Sequence, residues 1–337
     1  MPRLLDAADP QAPVEAAAQL AAGRLIGLPT ETVYGLGADA DQPAAVAAVF
    51  AAKGRPADHP LIVHLAAGPD GRGWRAGVDR YAQSVPAFAE RLMAQFWPGP
   101  LTLILPRRAE HAAAAAGGQA AIGLRCPAHP VAQAVLSAAR AAGVHGVAAP
   151  SANRFGRVSP TRAAHVMEEF AALDPEALLV IDGGDCAVGI ESTIVDASRG
   201  HPVLLRPGMI GAAEIERVAG EPLRDRDGDS PRASGTLASH YAPRARVRLM
   251  DGAALQTALE VLGSDAKHIA VYARRPLRAA AGVVLRRMPD DAAACAHELF
   301  AALRELDARG VKLIWVETPP ADPAWDGVRD RLQRAAA

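Results

Sequence analysis

The chain has 337 residues, half of them apolar, which is enough for two domains that each bury a hydrophobic core. Its formal net charge of -1 excludes a general electrostatic attraction to nucleic acid or to an anionic membrane. The three cysteines lie far apart and form no C-x-x-C pair, which argues against a disulfide framework or a structural zinc site and predicts a reducing, cytoplasmic location. The first residues lack a signal-peptide pattern, and no apolar run approaches the roughly 18 residues of a membrane span, so no membrane association is predicted.

The first two thirds of the chain mix short strands with helices in an irregular order. Helices, most of them bounded by glycine or proline, are predicted over 13–22, 43–52, 78–96 and 130–142. Short apolar strands are predicted over 25–28, 61–65, 101–105, 121–125, 147–149, 178–181, 192–195 and 203–205, with a loop over 29–37. Because few strands alternate strictly with helices, the pattern favours an α/β fold of the α+β kind with a mixed sheet over a purely doubly wound sheet.

The composition changes at about residue 221. The stretch 221–231 is charged and poor in apolar residues, which predicts a flexible linker. After it, strands over 247–250, 269–272, 282–285 and 311–316 alternate with helices near 253–262 and 291–308. This alternation predicts a small βαβ-type domain with a parallel sheet, and the absence of G-x-G-x-x-G gives no support for dinucleotide binding there. We therefore expect an N-terminal domain over 1–215, a linker over 216–245 and a C-terminal domain over 246–337.

One lysine is unusual in this arginine-rich chain. Of the 36 lysines and arginines only three are lysines, and Lys53 is followed at once by Gly54, Arg55 and Pro56. Lysine supplies a compact point charge where arginine supplies a planar fork, so a lysine kept against this bias indicates phosphate binding. A solvated loop with two cations is the alternative. Arg125 and Arg206 follow apolar strands, where each would serve equally as a strand cap or the partner of a carboxylate.

Hydroxyl and carboxylate side chains gather at turns without identifying a chemistry on their own. Hydroxyl and amide groups that fit cap or turn positions are found at Thr30, Thr32, Ser151, Asn153, Ser159, Thr161, Ser192 and Thr193. Glu31 and Asp182 are possible general bases, but position alone does not distinguish them from solvated carboxylates. The sequence has no Walker motif, no H-E-x-x-H and no G-x-S-x-G, which argues against a P-loop NTPase, a zinc protease and a serine hydrolase.

The order of the motifs is far more specific than any one of them. Each of the following occurs once, in this order: P-T-E-T-V-Y-G-L-G, K-x-R-P-x-x-x-P-L, W-P-G-P-L-T, G-L-R-C-P, A-P-S-A-N, S-P-T, G-I-E-S-T-I-V-D, L-L-R-P-G and H-Y-A-P. This series resembles the YrdC-type L-threonylcarbamoyladenylate synthases in their long form. The resemblance is dense over 10–215 and continues through 240–243, whereas the C-terminal domain matches in its predicted pattern alone.

The resemblance implies an enzyme that uses ATP, L-threonine and bicarbonate and releases threonylcarbamoyl-AMP and pyrophosphate. It implies Mg²⁺, held mainly by phosphate oxygens and water, so no metal ligands are predicted in the protein. A tRNA threonylcarbamoyl transferase complex would receive the product and modify the adenosine next to the anticodon, and direct contact with tRNA is possible. The implied fold is a twisted open sheet of the YrdC type with a concave basic site, followed by a Rossmann-like domain.

The resemblance also implies roles for individual residues. Lys53 and Arg55 would be the catalytic cations on the ATP phosphates. The further ATP contacts would be His59, Ser151, Asn153, Ser159, Thr161, Arg206 and the linker residue Tyr241. The threonine pocket would consist of Thr32, His64, Arg125 and Ser192, where the guanidinium fork of Arg125 suits a carboxylate. The linker departs from relatives, which often have P-G-M before H-Y-A-P where this chain has 234–239 reading S-G-T-L-A-S.

Two other functions remain as alternatives. A double-stranded RNA-binding module without catalysis would use a wide basic face, which the net charge of -1 disfavours. A carbamoyltransferase of the hydrogenase-maturation kind shares this type of domain but adds zinc-finger cysteine clusters, and the three cysteines here are scattered.

Overall fold

The computed structural model describes residues 1–68 and 70–337, and these residues form two β-sheets with helices packed against them. The strands of the N-terminal region are β1 (Arg3–Asp6), β2 (Leu25–Leu28), β3 (Gly35–Asp39), β4 (Ile62–His64), β5 (Leu101–Pro106), β6 (Ala121–Arg125), β7 (Val147–Ala148), β8 (Leu178–Asp182), β9 (Thr193–Asp196), β10 (Val203–Arg206) and β11 (Arg224–Asp225). Its helices are α1 (Ala12–Ala21), α2 (Pro43–Lys53), α3 (Trp74–Tyr81), α4 (Ala87–Phe96), α5 (Pro130–Ala141), α6 (Ala163–Glu169) and α7 (Ala212–Ala219).

The larger sheet is mixed, as the sequence predicts. Its strand order is β1-β8-β2-β3-β7-β4-β6-β5-β9-β10-β11 among the described residues. Parallel pairs such as β4 with β6 stand beside antiparallel pairs such as β5 with β6. Side chains of β8 alternate between two cores: Leu178 and Val180 pack with α2, α3 and α4, while Leu179 and Ile181 pack with α1 and α5. Helices therefore cover both faces at this end of the sheet.

At the other end, one face of the sheet is left for the candidate site. Val63 and Leu124 point into the helix-covered core, so their neighbours on β4 and β6 point the opposite way. Those neighbours include His64 and Arg125, which are paired across the two strands. The two-residue period of a strand thus places both side chains on the face opposite the core that contains Val63 and Leu124.

The structure corrects the predicted helix over 78–96. The segment contains two helices, α3 and α4, separated by residues 82–86. Ala82 leaves α3 in an extended conformation, and Pro86 begins α4 as its extended N-cap. Proline disfavours a helical conformation in the residue before it, so Pro86 ends any continuous helix here. The predicted loop over 29–37 is also shorter than expected, because β3 begins at Gly35.

The C-terminal region forms the parallel βαβ-type sheet that the sequence predicts. Its elements are β12 (Arg246–Met250), α8 (Gly252–Leu262), β13 (Ile269–Ala273), β14 (Val284–Arg287), α9 (Ala292–Ala308), β15 (Leu313–Glu317) and α10 (Asp326–Ala336). The strand order is β12-β15-β13-β14, and each neighbouring pair is parallel. Side chains of α9 and α10 share one buried cluster, while those of α8 belong to a second cluster with Trp315. The first cluster also contains Val33 and Ile190, so it joins the two domains.

The predicted linker over 216–245 and the helix that leads into it are in contact with the N-terminal domain. Helix α7 spans the predicted boundary at 215 and packs on α4, with Ile215 and Ala219 in the main core. Further on, Ser234 and Tyr241 contribute to the wall of a cavity. The three cysteines are all buried and free. No helix of the described residues is both long and apolar enough to cross a bilayer.

Candidate active site

A narrow cavity lies where β4 and β6 meet the loop after β2, the loop before β9 and the linker. Its wall includes Thr30, Thr32, Val33, Gly35, Arg55, Ile62, His64, Arg125, Ala149, Pro150, Ser151, Glu191, Ser192, Arg206, Ser234, Gly235, His240 and Tyr241. The space that these residues leave free is about 40 Å³. Residues from distant parts of the sequence therefore converge on one small hollow, whose lining includes four charged side chains, Arg55, Arg125, Glu191 and Arg206.

One end of the cavity is built around Arg125, the residue that the sequence analysis assigns to a threonine pocket. Its Nη1 donates to Thr32 Oγ1 at 2.8 Å, and its Nε donates to the Gly99 carbonyl at 3.3 Å. Its Nη2 lies 2.7 Å from Glu31 Oε1, and both residues are buried. Neither Nη2 nor the two Glu31 oxygens form an aligned hydrogen bond with any described residue. This end therefore holds a buried cation that can still donate hydrogen bonds.

His64 and Ser192 complete this end of the cavity. Burial, followed by the nearby charge of Arg125, lowers the pKa of His64 to about 3, so its ring is neutral at physiological pH. The ring Nδ1 lies 3.2 Å from the Ile62 carbonyl. Ser192 Oγ lies 2.7 Å from Thr102 Oγ1. A neutral imidazole and a hydroxyl thus stand beside the guanidinium, and both are able to bond a small polar ligand.

Two further arginines, Arg55 and Arg206, line the same cavity and contact the linker. Arg55 Nη2 donates to the Pro60 carbonyl at 2.8 Å and to Ser234 Oγ at 3.0 Å. Arg206 donates through Nε and Nη2 to the Ser192 carbonyl and through Nη1 to the Ser234 carbonyl at 2.9 Å. Burial lowers the pKa of Arg55 to about 10, which still leaves it charged at neutral pH. The linker residue Ser234 therefore occupies the donors of two cations that suit phosphate.

Lys53 lies behind this wall rather than in an open loop. It is the last residue of α2 and is 2% exposed, and Gly54 ends the helix in the left-handed conformation with φ of +62°. The Nζ donates to the carbonyls of Ser151 and Asn153. Burial, followed by the charge of Arg55, lowers the pKa of Lys53 well below its ordinary value. Both hydrogen bonds of the Nζ therefore run to the backbone of the loop that carries Ser151 and Asn153.

The other predicted ATP contacts lie at different distances from the cavity. Ser151 and Tyr241 line it. Asn153 donates to the carbonyls of Arg154 and Arg157, and its buried Oδ1 has no partner among the described residues. His59 is half-buried, and its ring packs edge-on against Phe155 with 5.3 Å between the ring centres. Contact of these residues with ATP stays a prediction.

Ser159 and Thr161 follow in the loop before α6, and both are buried. Ser159 Oγ donates to Glu191 Oε1 at 2.5 Å. The Thr161 carbonyl accepts from the backbone nitrogen of Cys186. The structure therefore connects Ser159 to the cavity through Glu191 and shows Thr161 in a backbone contact.

Two charged residues at the site, Glu191 and Arg331, were not identified from the sequence, and Glu31 was considered only as a possible general base. Glu31 pairs with Arg125, and Glu191 lines the cavity and pairs with Arg331 of the C-terminal domain. Burial alone would raise the pKa of Glu191, but the charges of Arg331 and Arg206 outweigh this effect and hold its pKa below the ordinary value. Both glutamates lie inside motifs that carry the family resemblance, and these motifs could have indicated their role. Arg331 lies in no such motif, so the sequence did not indicate it.

The described residues contain no group of three or more histidine, cysteine, aspartate or glutamate side chains that fits a metal ion. The carboxylates at the site are already held by arginines, Glu31 by Arg125 and Glu191 by Arg331. This donor set fits a divalent cation that is held by phosphate oxygens and water, and it offers no dedicated protein cage.

Comparison with known proteins identifies the family. A family model described as "Telomere recombination", which covers the Sua5, YciO and YrdC proteins, matches residues 18–208. A second model, described as "Threonylcarbamoyl-AMP synthase, C-terminal domain", matches residues 210–337.

Known proteins are similar to this chain over nearly its full length. A threonylcarbamoyl-AMP synthase from Pyrococcus abyssi is 36% identical over 93% of this chain and 91% of its own length. One from Bacillus subtilis is 35% identical over 97% of this chain and 93% of its own length. The crystal structure of the Pyrococcus abyssi protein Sua5 complexed with L-threonine has a TM-score of 0.86 and 34% identity, and it covers all of this chain and 97% of that chain. These similarities support the catalytic interpretation over an RNA-binding module. The chain therefore belongs to the threonylcarbamoyl-AMP synthase family, as a member with the C-terminal domain of that family.

Proposed function

We propose that this chain is an L-threonylcarbamoyladenylate synthase that converts ATP, L-threonine and bicarbonate into threonylcarbamoyl-AMP and pyrophosphate. The observation that carries the proposal is one cavity lined by three arginines, Arg125, Arg55 and Arg206. We assign Arg125 to the carboxylate of threonine and the other two to the phosphates of ATP. Substrates held side by side by these groups would react as if within one molecule.

The reaction consists of two bond-forming steps. The threonine nitrogen bonds to the carbon of bicarbonate, and water and a proton are released to leave a carbamate. A carbamate oxygen then bonds to the α-phosphorus of ATP, while the bond from that phosphorus to the bridging oxygen breaks and pyrophosphate leaves. Fixed cations stabilise the charge that shifts onto the phosphate oxygens, and Arg55, Arg206 and Lys53 would supply them.

The threonine pocket gives the specificity that this reaction needs. Arg125 presents a fork for the carboxylate, and Thr32 and Ser192 offer hydroxyls for the side-chain hydroxyl of the substrate. A pocket built to hydrogen-bond a hydroxyl discriminates strongly against an analogue that lacks it, because buried polar groups are then left unpaired.

ATP would enter only after the linker moves. The free space of about 40 Å³ is far below the roughly 300 Å³ of an ordinary ligand pocket. Ser234 bonds to both Arg55 and Arg206, the cations that we assign to phosphate. The linker would leave these donors when the triphosphate arrives and close again over the bound substrates, which protects the reactive mixed anhydride from water.

The remaining participants follow from this chemistry. Mg²⁺ would enter with ATP and balance phosphate charge, held mostly by phosphate oxygens and water. A tRNA threonylcarbamoyl transferase complex would accept the product, with or without direct contact between this chain and tRNA. A cytoplasmic location would supply ATP and tRNA and fits the three free, buried cysteines.

The decisive experiment is nucleotide analysis by mass spectrometry after incubation of the protein with ATP, bicarbonate, Mg²⁺ and L-threonine. We expect threonylcarbamoyl-AMP and pyrophosphate in equal amounts, and neither in the absence of threonine. Parallel reactions with L-serine and L-valine test the pocket: L-valine, which lacks the hydroxyl, should give much less product than L-serine, which keeps it. Salt-titrated binding of tRNA serves as the comparison for the RNA-binding alternative. Tight tRNA binding without any adenylate product would refute the proposed function.

A further inference from the structure

The last helix of the C-terminal domain places one arginine inside the N-terminal domain, next to the cavity. Arg331 on α10 is fully buried. Its Nε donates to Glu191 Oε2 at 2.8 Å, its Nη2 to the Glu191 carbonyl at 3.0 Å, and its Nη1 to the Pro207 carbonyl at 2.8 Å. Most of its donors therefore bind the other domain, at two carbonyls and one carboxylate.

These contacts lead directly to predicted substrate contacts. The other oxygen of Glu191, Oε1, accepts the hydrogen bond of Ser159. The guanidinium carbon of Arg331 lies 5.5 Å from the centre of the Tyr241 ring, close enough for a cation–π contact. The two carbonyls that Arg331 binds belong to the residue before Ser192 and the residue after Arg206.

Adhesion between the domains does not require this ion pair. The loop before β9 already packs closely against the C-terminal helices: a Cβ on Gly189 would lie 2.3 Å from the His297 carbonyl on α9, and a Cβ on Gly327 of α10 would lie 2.8 Å from the Ile190 side chain. A buried ion pair adds little net stability, because both charges lose their hydration. What the pair adds is a fixed geometry at the cavity wall.

We propose that Arg331 is a positioning residue through which the C-terminal domain completes the substrate cavity. It holds the Glu191 carboxylate against Ser159, and it holds the backbone next to Ser192 and Arg206. The inference rests on the proposed function, because it assigns the C-terminal domain a part in binding the two substrates of that reaction.

The test compares Arg331→Met with Arg329→Met. Arg329 lies two residues earlier on the same helix, and its bonds run to Pro320, Asp322 and Asp326 of its own domain. We expect Arg331→Met to raise KM for ATP and L-threonine, and the calorimetric Kd of each, by about tenfold or more, because charge-assisted hydrogen bonds that order the wall are lost. Arg329→Met should stay within about twofold of the parent protein.

A KM effect separates positioning from simple stabilisation. Loss of folded protein would lower kcat per mole of chain and leave both KM values unchanged. Unchanged KM and Kd values in well-folded Arg331→Met would overturn the inference. Arg331→Lys, which keeps the charge but not the fork, should recover the binding of each substrate in part.

A double variant guards the test against misfolding, because Arg331→Met leaves the Glu191 carboxylate buried without its partner. Glu191→Gln combined with Arg331→Met removes both charges and keeps an acceptor for Ser159. We expect this variant to unfold near the parent temperature yet to keep the raised Kd values. Parent-like Kd values for both ligands in the double variant would also overturn the inference. If the parent protein binds both ligands but makes no threonylcarbamoyl-AMP, the proposed function fails, and the Kd comparison still decides the inference.

Discussion

At the scale of single residues, Arg125 is held ready for a carboxylate by its neighbours. Thr32 accepts one of its hydrogen bonds and Glu31 stands 2.7 Å away, so the guanidinium is fixed and its charge is balanced before a ligand arrives. A lysine at this position would supply a charge without the planar fork. This geometry supports the assignment of Arg125 to the carboxylate of L-threonine that we propose.

We expect Arg125→Lys to raise KM for L-threonine by about tenfold or more and KM for ATP by much less, because a point charge cannot replace the bidentate contact. Steady-state kinetics with each substrate varied in turn measures the two effects. The matched variant at the phosphate end is Arg55→Lys, for which we expect the larger increase in KM for ATP. Equal increases in both constants for Arg125→Lys would contradict the division of the cavity.

Lys53 has a structural task in addition to its proposed role with phosphate. Its Nζ binds the carbonyls of Ser151 and Asn153 in a buried setting. We expect Lys53→Met to abolish product formation and to lower the free energy of unfolding by about 2 kcal/mol, since two buried carbonyls lose their donor. Urea unfolding measures the loss of stability, and the exposed Lys267→Met is the control that should change neither quantity. Parent-like stability in Lys53→Met would show that these two bonds contribute little.

At the scale of elements, the loop before β9 packs against helix α9 at Gly189, where there is no room for a side chain. Gly189 has φ of +83°, and a Cβ there would lie 2.3 Å from the His297 carbonyl. Gly200 has a similar φ of +81°, but a Cβ there would meet nothing within 4 Å. An alanine at Gly200 would therefore suffer backbone strain alone, whereas an alanine at Gly189 would suffer the same strain and a steric clash with α9.

We expect Gly200→Ala to lower the free energy of unfolding by about 1 kcal/mol, the strain of a left-handed alanine. Gly189→Ala should lower it by about 3 kcal/mol or more, because the helix backbone must also move away. Urea unfolding of both variants provides the comparison. Equal losses of unfolding free energy in the two variants would mean that α9 shifts at little cost and that its close contact with Gly189 does not contribute to stability.

The elements that were predicted correctly are those with a local signal. Strand β2 and helix α2 are short apolar segments bounded by glycine or proline, and the structure places them within a residue or two of the prediction. The predicted continuous helix over 78–96 was wrong. Its apolar pattern runs on past Tyr81, where α3 ends, and Pro86 then starts α4 as a separate helix. Helix α10 was missed because it is rich in charge, with its apolar face at Val328, Leu332 and Ala335.

The same limit applies to the candidate site. Motifs brought Arg55, Arg125 and Ser192 to notice, and the structure places all three on one cavity. Arg331 could not be predicted, because an arginine on a charged helix is expected to face solvent. Its partner Glu191 lies 140 residues earlier in the sequence, and only the folded structure brings the two together.

At the scale of the whole molecule, burial of histidines makes stability depend on pH. The pKa of His64 and that of His240 are both lowered to about 3, chiefly by burial. In the unfolded chain these rings take up a proton near pH 6.5, whereas in the folded protein they stay neutral. Their neutral form is therefore fully favourable above pH 6.5, and stability is lost as the pH falls toward 3.

Each of these histidines should lower the free energy of unfolding by about 2 kcal/mol between pH 7 and pH 5. His64→Gln removes one titrating group, so its stability should fall less steeply with acid than that of the parent protein. Urea unfolding at pH 7, 6 and 5 gives the two slopes. Identical slopes would mean that His64 does not remain neutral in the folded state.

The scarcity of lysine has a practical consequence for any surface to which this protein is coupled. Lys53 is enclosed, while Lys267 and Lys312 are exposed and both belong to the C-terminal domain. Apart from the α-amino group of residue 1, a succinimidyl ester thus meets accessible amines on that domain alone. A protein coupled to a biosensor chip or bead in this way would be attached mainly through its C-terminal domain, and its N-terminal domain would face the bulk solution.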